Sequence, residues 1–120
     1  MLFIEYPKCS TCKKAKKYLE DHNIHFIDRN IITETPTKEE LETWIKKYNI
    51  KIEKLYNTSG MKYRELNLKE KRQEMSLEEQ LTLLSSDGML LKRPILITEK
   101  TMITGFREKE WEKVIEEERK

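Results

Sequence analysis

The chain opens with a consecutive apolar run, Leu2, Phe3 and Ile4, soon followed by Pro7. Such a run predicts a short buried strand over Met1 to Tyr6, because Pro7 has no N–H to give a ladder and ends it. From Thr11 to Asn23 the small or apolar residues Cys12, Ala15 and Leu19 recur at helical spacing, with Lys13, Lys14, Lys16 and Lys17 on the other faces. That pattern predicts an amphipathic helix beginning at the cysteines. Ile24 to Ile32 holds Phe26, Ile27, Ile31 and Ile32 and reads as a second strand after a short connection.

Farther along, the period is helical. Thr37 stands three residues before Glu40, and Ser76 three before Glu79. In each pair a hydroxyl and a glutamate can satisfy each other's backbone N–H at the start of a helix. Leu41, Trp44, Ile45 and Tyr48 make one apolar face and Leu77, Leu81 and Leu84 another, with Asn57-Thr58-Ser59-Gly60 as a turn between them. Asp87-Gly88 stops the second of these helices before Arg93-Pro94. Ile95 to Ile97 and Met102 to Phe106 form two short strands joined through Glu99-Lys100, after which Trp111, Val114 and Ile115 share one face of a final helix. This order fits an α/β, thioredoxin-like fold: a mixed four-stranded sheet with a helical insertion at about residues 35–90, the last two strands closing the sheet as a hairpin.

Length and charge narrow the classes. At 120 residues the chain has the size of a single domain, read as 1–120. Charged residues are 38% and hydrophobic ones 37%, enough apolar side chains to fill one core. The 24 Lys and Arg against 22 Asp and Glu leave a net charge of +2, too balanced for binding nucleic acid by phosphate neutralisation. Apolar runs reach about four residues, far short of the roughly 18 that span a bilayer, and Met1 to Pro7 has neither the basic nor the apolar region of a signal peptide. The expectation is a cytoplasmic protein with no membrane partner.

The two cysteines, Cys9 and Cys12, are too close in sequence to staple distant parts of a small secreted fold. They fall where a strand ends and a helix begins. Unpaired N–H groups and the macrodipole at a helix N-terminus favour an anion and pull a thiol toward its thiolate. Cys9 is therefore the nucleophile, and Cys12, one turn along, is placed to resolve a mixed disulfide or sulfenate on it. Lys8 adds positive field, as do Lys13 and Lys14, and Ser10 and Thr11 lie beside Cys9 in the first turn. The plainer alternative is a pair of buried structural cysteines. Zinc bound by Cys9, Cys12, His22 and His25 fails on distance: a helix from Thr11 to Asn23 puts His22 about 15 Å along the axis from Cys12, whereas zinc ligands converge. No metal is expected, His22 is read as a helix-end residue and His25 as a strand residue, and neither is given a role. A fold of this type often sets a cis proline beside the cysteine pair, which makes Pro94 the cis-proline candidate. Arg93 then stands near Cys9 to hold an oxyanion or stabilise the thiolate, the alternative being a surface arginine ahead of a strand.

The segments Tyr6-Pro-Lys-Cys-Ser-Thr-Cys-Lys-Lys-Ala15, Asn57-Thr58-Ser59-Gly60, Leu91-Lys-Arg-Pro-Ile-Leu96 and Gly105-Phe106 resemble the arsenate reductase (ArsC)-like family, which includes the Spx-type regulators. The resemblance implies a thioredoxin-like core with a helical insertion and a catalytic or redox-sensing cysteine at Cys9. For an arsenate reductase of this type it implies a serine where Cys12 stands and three arginines around the oxyanion. Only Arg93 has a counterpart here, Asn57 and Gly105 occupying the other two positions, so arsenate reduction is expected to be weak. The Cys-x-x-Cys is more similar to the Spx type, in which it is a thiol/disulfide switch on a protein that binds RNA polymerase. Two functions stand. One is a thiol/disulfide oxidoreductase with no bound cofactor, reduced by glutathione and glutaredoxin or by thioredoxin, with an oxyanion as a further substrate class. The other is a redox-sensing regulator whose partner is RNA polymerase.

Overall fold

The structure, a computed structural model, describes residues 1–119. The chain divides into two compact units, one formed by Met1–Asn30 with Arg93–Lys120 and the other by Ile31–Lys92.

The first unit carries the sheet. Its strands β1 (Leu2–Glu5), β2 (Ile27–Asn30), β3 (Ile95–Ile97) and β4 (Met102–Thr104) lie in the order β2-β1-β3-β4. β1 and β2 are parallel, while β1–β3 and β3–β4 are antiparallel, with Ile4 opposite Ile95 and Leu96 opposite Ile103. The mixed four-stranded sheet is thus as the pattern predicts. Helix α1 (Ser10–Asp21) makes the parallel crossover that β1 and β2 require. Pleating sends alternate side chains to opposite faces, so Phe3 and Leu96 join Ala15 and Leu19 of α1 and Trp111, Val114 and Ile115 of the last helix in one buried cluster. Phe3 meets Trp111 edge to face, the ring arrangement that aromatic quadrupoles favour. The β3–β4 hairpin closes on Thr98, whose hydroxyl accepts from Thr101 N–H at 2.9 Å.

The second unit is helical: α2 (Lys38–Lys47), α3 (Met61–Glu65), α4 (Leu68–Lys71) and α5 (Leu77–Ser86), with short 3₁₀ turns between them. α2 packs on α5. Both capping boxes form, Thr37 with Glu40 and Ser76 with Glu79. Gly88 lies so close to Ile31 that a Cβ there would meet the Ile31 carbonyl oxygen at 2.2 Å, so this position requires glycine. The chain then returns to the first unit, whose last element is α6 (Glu108–Glu118). No helix among the described residues is long and apolar enough to cross a membrane.

Four sequence expectations are corrected. The strand expected over Ile24 to Ile32 is only Ile27–Asn30, and Ile27 on this edge strand is 70% exposed. His25 lies in the connection before β2, outside the strand. Helix α1 stops at Asp21, with Asn23 in the left-handed conformation that ends helices. Leu77 is 48% exposed, and Gln80 takes the inward place beside Leu81 and Leu84 by accepting a 3.0 Å hydrogen bond from the Tyr56 hydroxyl.

Candidate active site

Strand β1 delivers the chain into Tyr6-Pro7-Lys8, where Cys9 N–H donates to the Tyr6 carbonyl at 2.9 Å and turns the backbone into α1. Cys9 is the N-cap of α1, with extended backbone at φ −83° and ψ 125°. At this position a hydroxyl or carboxylate usually accepts from the first-turn N–H groups. Here the place belongs to sulfur, and no side-chain hydrogen bond of ordinary cap geometry closes the end. The first turn of α1 holds no acidic residue, unlike those of α2, α5 and α6. The positive end of the dipole is left for Cys9.

The two sulfurs are pushed in opposite directions. Burial alone would raise the Cys9 pKa, but the Cys12 N–H, the Cys12 thiol, the Thr11 N–H and the Arg93 guanidinium together bring it below the ordinary thiol value. Cys12 is fully buried, and both cysteines are free thiols. Burial, its hydrogen bond to Cys9 and the charges of Cys9 and Glu5 push the Cys12 thiol up to about 12, against the Tyr6 N–H acting the other way. The arrangement is a partly exposed thiol biased toward its thiolate beside a buried thiol that stays protonated.

The structure brings Arg93 to this site. Its guanidinium lies 5.3 Å from the centre of the Tyr6 ring and its charge favours the Cys9 thiolate. The Arg93–Pro94 peptide is cis, and the Pro94 carbonyl accepts from Gly105 N–H at 2.8 Å. Lys8 and Ser10 are exposed on either side of Cys9, and Thr11 contributes through its backbone amide. Gly105 has φ 80°, a conformation that disfavours the arginine expected there in an arsenate reductase. Asn57 lies in the second unit. His22 is the C-cap of α1, at the opposite end from Cys12, and stacks on Tyr18. Among the described residues no three His, Cys, Asp or Glu side chains converge as a metal site.

One group was missed from sequence. Glu5 is only 2% exposed, Lys16 Nζ lies 3.9 Å from its carboxylate, and Lys16 also pairs with Asp28 at 2.9 Å. Burial first, and then the hydrogen bond and charge of Asp28, raise Glu5 to about 7, while Asp28 is held below its ordinary value. The available signal was a carboxylate ending an apolar strand run four residues ahead of Cys9, with Lys16 one helical turn beyond Cys12.

Residues 4–114 match the sequence model of the ArsC family. The chain belongs to that family. Its relatives there include the uncharacterized protein YusI of Bacillus subtilis, 50% identical over 112 residues that cover 93% of this chain and 95% of YusI. Global transcriptional regulator Spx 2 of Bacillus cereus is 33% identical over 107 residues, 89% of this chain and 80% of that protein. Among solved structures, an ArsC family related protein from Bacteroides fragilis superposes with a TM-score of 0.88 at 47% identity, covering 94% of this chain and 95% of the other. The sheet and helices described above are therefore the ArsC-family version of the thioredoxin-like fold.

Proposed function

We propose that this protein is a thiol/disulfide oxidoreductase of the ArsC family that works through Cys9 and Cys12. The observation that carries the reading is the opposed state of the two sulfurs at one helix end, Cys9 lowered and Cys12 raised to about 12. The Cys9 thiolate attacks a disulfide substrate, forming a Cys9–substrate mixed disulfide and expelling one substrate thiolate. Cys12 then displaces the second substrate thiolate and closes the Cys9–Cys12 disulfide. Glutathione with glutaredoxin, or thioredoxin, returns the pair to dithiol. Arsenate is a poor substrate, because Arg93 alone stands where three guanidinium groups are expected and each lost charge-assisted contact costs about 1.5–3 kcal/mol.

The Spx-type reading is the second one, favoured by the 33% identity to a global transcriptional regulator. On that reading the same disulfide controls a contact with RNA polymerase. One experiment separates the two. The protein is oxidised with one equivalent of a small disulfide, its intact mass is measured, and turnover of disulfide and of arsenate is followed with each reducing system. Loss of two protons and steady disulfide turnover are expected. Arsenate turnover at ordinary enzyme rates would make arsenate the substrate. No turnover with any donor, together with redox-dependent capture of RNA polymerase, would establish the regulator.

A further inference from the structure

Acids and bases nearly cancel over the whole chain, but not locally. Residues 61–73 hold five cations, Lys62, Arg64, Lys69, Lys71 and Arg72, against the two carboxylates Glu65 and Glu70. Two of the five are neutralised inside the helical unit, Lys62 lying 4.0 Å from Asp87 and Arg72 3.6 Å from Glu53. Neither Arg64 nor Lys69 forms an ion pair with any described residue. These same two side chains, together with Thr58, Tyr63 and Asn67, line a hollow of about 300 Å³.

The local backbone explains why they meet. Between α3 and α4, Asn67 takes the left-handed conformation at φ 50° and ψ 44°, which asparagine tolerates better than most residues with a Cβ. Its N–H donates to the Arg64 carbonyl and its own carbonyl accepts from Lys71 N–H, both at 3.0 Å. One residue thus closes α3 and opens α4, and the corner carries Arg64 and Lys69 to the same hollow. Thr58 comes from the turn ahead of α3, closed by Gly60 N–H on the Asn57 carbonyl at 3.1 Å. Tyr63 is only 6% exposed. Its ring meets Tyr56 edge to face and its oxygen accepts from Arg72 Nε at 3.3 Å, which fixes the phenol and leaves its own hydrogen to donate. Glu70 accepts one hydrogen of the Asn67 amide at 3.3 Å and leaves the second. No Asp or Glu lines the hollow.

The lining selects a ligand by its chemistry. Guanidinium, ammonium, phenol, hydroxyl and amide are all donors, and two of them carry positive charge. Their complement is a dianion rich in acceptors, and a guanidinium fork beside an ammonium matches the oxygens of a phosphate. The volume lies at the small end of small-molecule pockets, with room for a compact organic group on that phosphate. We propose that this hollow binds the phosphate of a small phosphomonoester, with Arg64 and Lys69 meeting its two charges and the Thr58 hydroxyl and Asn67 amide donating to its oxygens. The site is independent of the cysteine chemistry, because all five residues belong to the second unit and both thiols to the first.

The test is a titration of ¹⁵N-labelled protein at pH 7.5 with phenyl phosphate, close to a dianion there, followed through the amide signals of Thr58, Arg64, Asn67 and Lys69. Inorganic phosphate, benzoate and a single-stranded oligonucleotide are titrated alongside. Phenyl phosphate is expected to shift these amides with saturation, inorganic phosphate to shift them more weakly, and singly charged benzoate to need about tenfold more ligand. Arg64→Gln and Lys69→Gln, both on exposed side chains, are each expected to weaken phenyl phosphate binding by about fivefold or more. Arg64→Lys should restore only part of the loss, since the charge returns without the fork. No shift at these amides, or a midpoint unaltered in both glutamine variants, would overturn the proposal. Inorganic phosphate binding as tightly as phenyl phosphate would overturn the ester and leave the bare ion as ligand. An oligonucleotide that moves the same amides at lower concentration than either would overturn it in favour of a nucleic-acid surface.

Discussion

A guanidinium and a buried carboxylate add their charges to what burial and hydrogen bonding already do to the two sulfurs. Arg93 favours the Cys9 thiolate through charge, across a site it shares with the Tyr6 ring. Arg93→Met keeps an unbranched apolar stem and removes that charge. The pH at which Cys9 alkylation by iodoacetamide reaches half its maximum is expected to rise, but only part of the way to that of the unfolded chain, because the amides of Cys12 and Thr11 remain. Glu5 leaves a mark on stability as well. Its folded-state pKa, about 7, lies above the ordinary 4.5, so the folded protein holds that proton more tightly than the unfolded chain. The resulting stability is fully present below pH 4.5 and lost as pH rises through 7, amounting to about 3 kcal/mol at most at 1.4 kcal/mol per unit. Asp28 is shifted the other way, so its stabilisation fades only as pH falls through its lowered pKa, in a more acidic window. Thermal melts are expected to show the native Tm falling between pH 4.5 and 7 and Glu5→Gln flat across that range.

At the scale of the element, α1 works because its first turn is free of carboxylates while its N-cap is sulfur. Lys13→Glu would place an acid at the end of that turn and is expected to raise the Cys9 titration by about 0.2–0.7 unit, the equivalent of the 0.3–1 kcal/mol a charge contributes at a helix end. The same shift persisting at high salt would mean that the dipole is not the cause. This part of the site was legible in sequence because every determinant is local: an apolar run, a proline, a helical period and two cysteines at its start. The capping boxes at Thr37 and Ser76 were legible for the same reason. Leu77 was not, since the inward face of α5 is decided by Tyr56, 24 positions from the Gln80 it bonds. The second strand was drawn too long because Phe26, Ile31 and Ile32 carry the same apolar signal as strand residues, and only the pairing with β1 bounds it to Ile27–Asn30. Glu5 went unseen as a participant because its meaning depends on Asp28 and Lys16, which only the β1–β2 register and the α1 crossover bring beside it.

At the scale of the molecule, the central strand β1 finds one neighbour nearby in sequence and the other far away. Ile4 pairs with Arg29 in β2 and with Ile95 in β3, the second after about ninety intervening residues. The close approach of Gly88 to the Ile31 carbonyl bears on the order in which these pairings form. Once Ile31–Lys92 has folded, that contact holds its two ends together, and the path from Ile4 to Ile95 shortens to about a third. By loop-closure entropy this lowers the cost of β1 finding β3 by about 1 kcal/mol, roughly fivefold in rate. Gly88→Ala forces the Ile31 carbonyl away and is expected to slow refolding by about that factor, followed through the fluorescence of Trp111 in the core beneath the sheet. A variant that refolds at the native rate and only unfolds faster would mean that the contact forms late. The glycine thus acts as a clasp on the helical unit, allowing a long-range strand pairing to proceed as a short-range one.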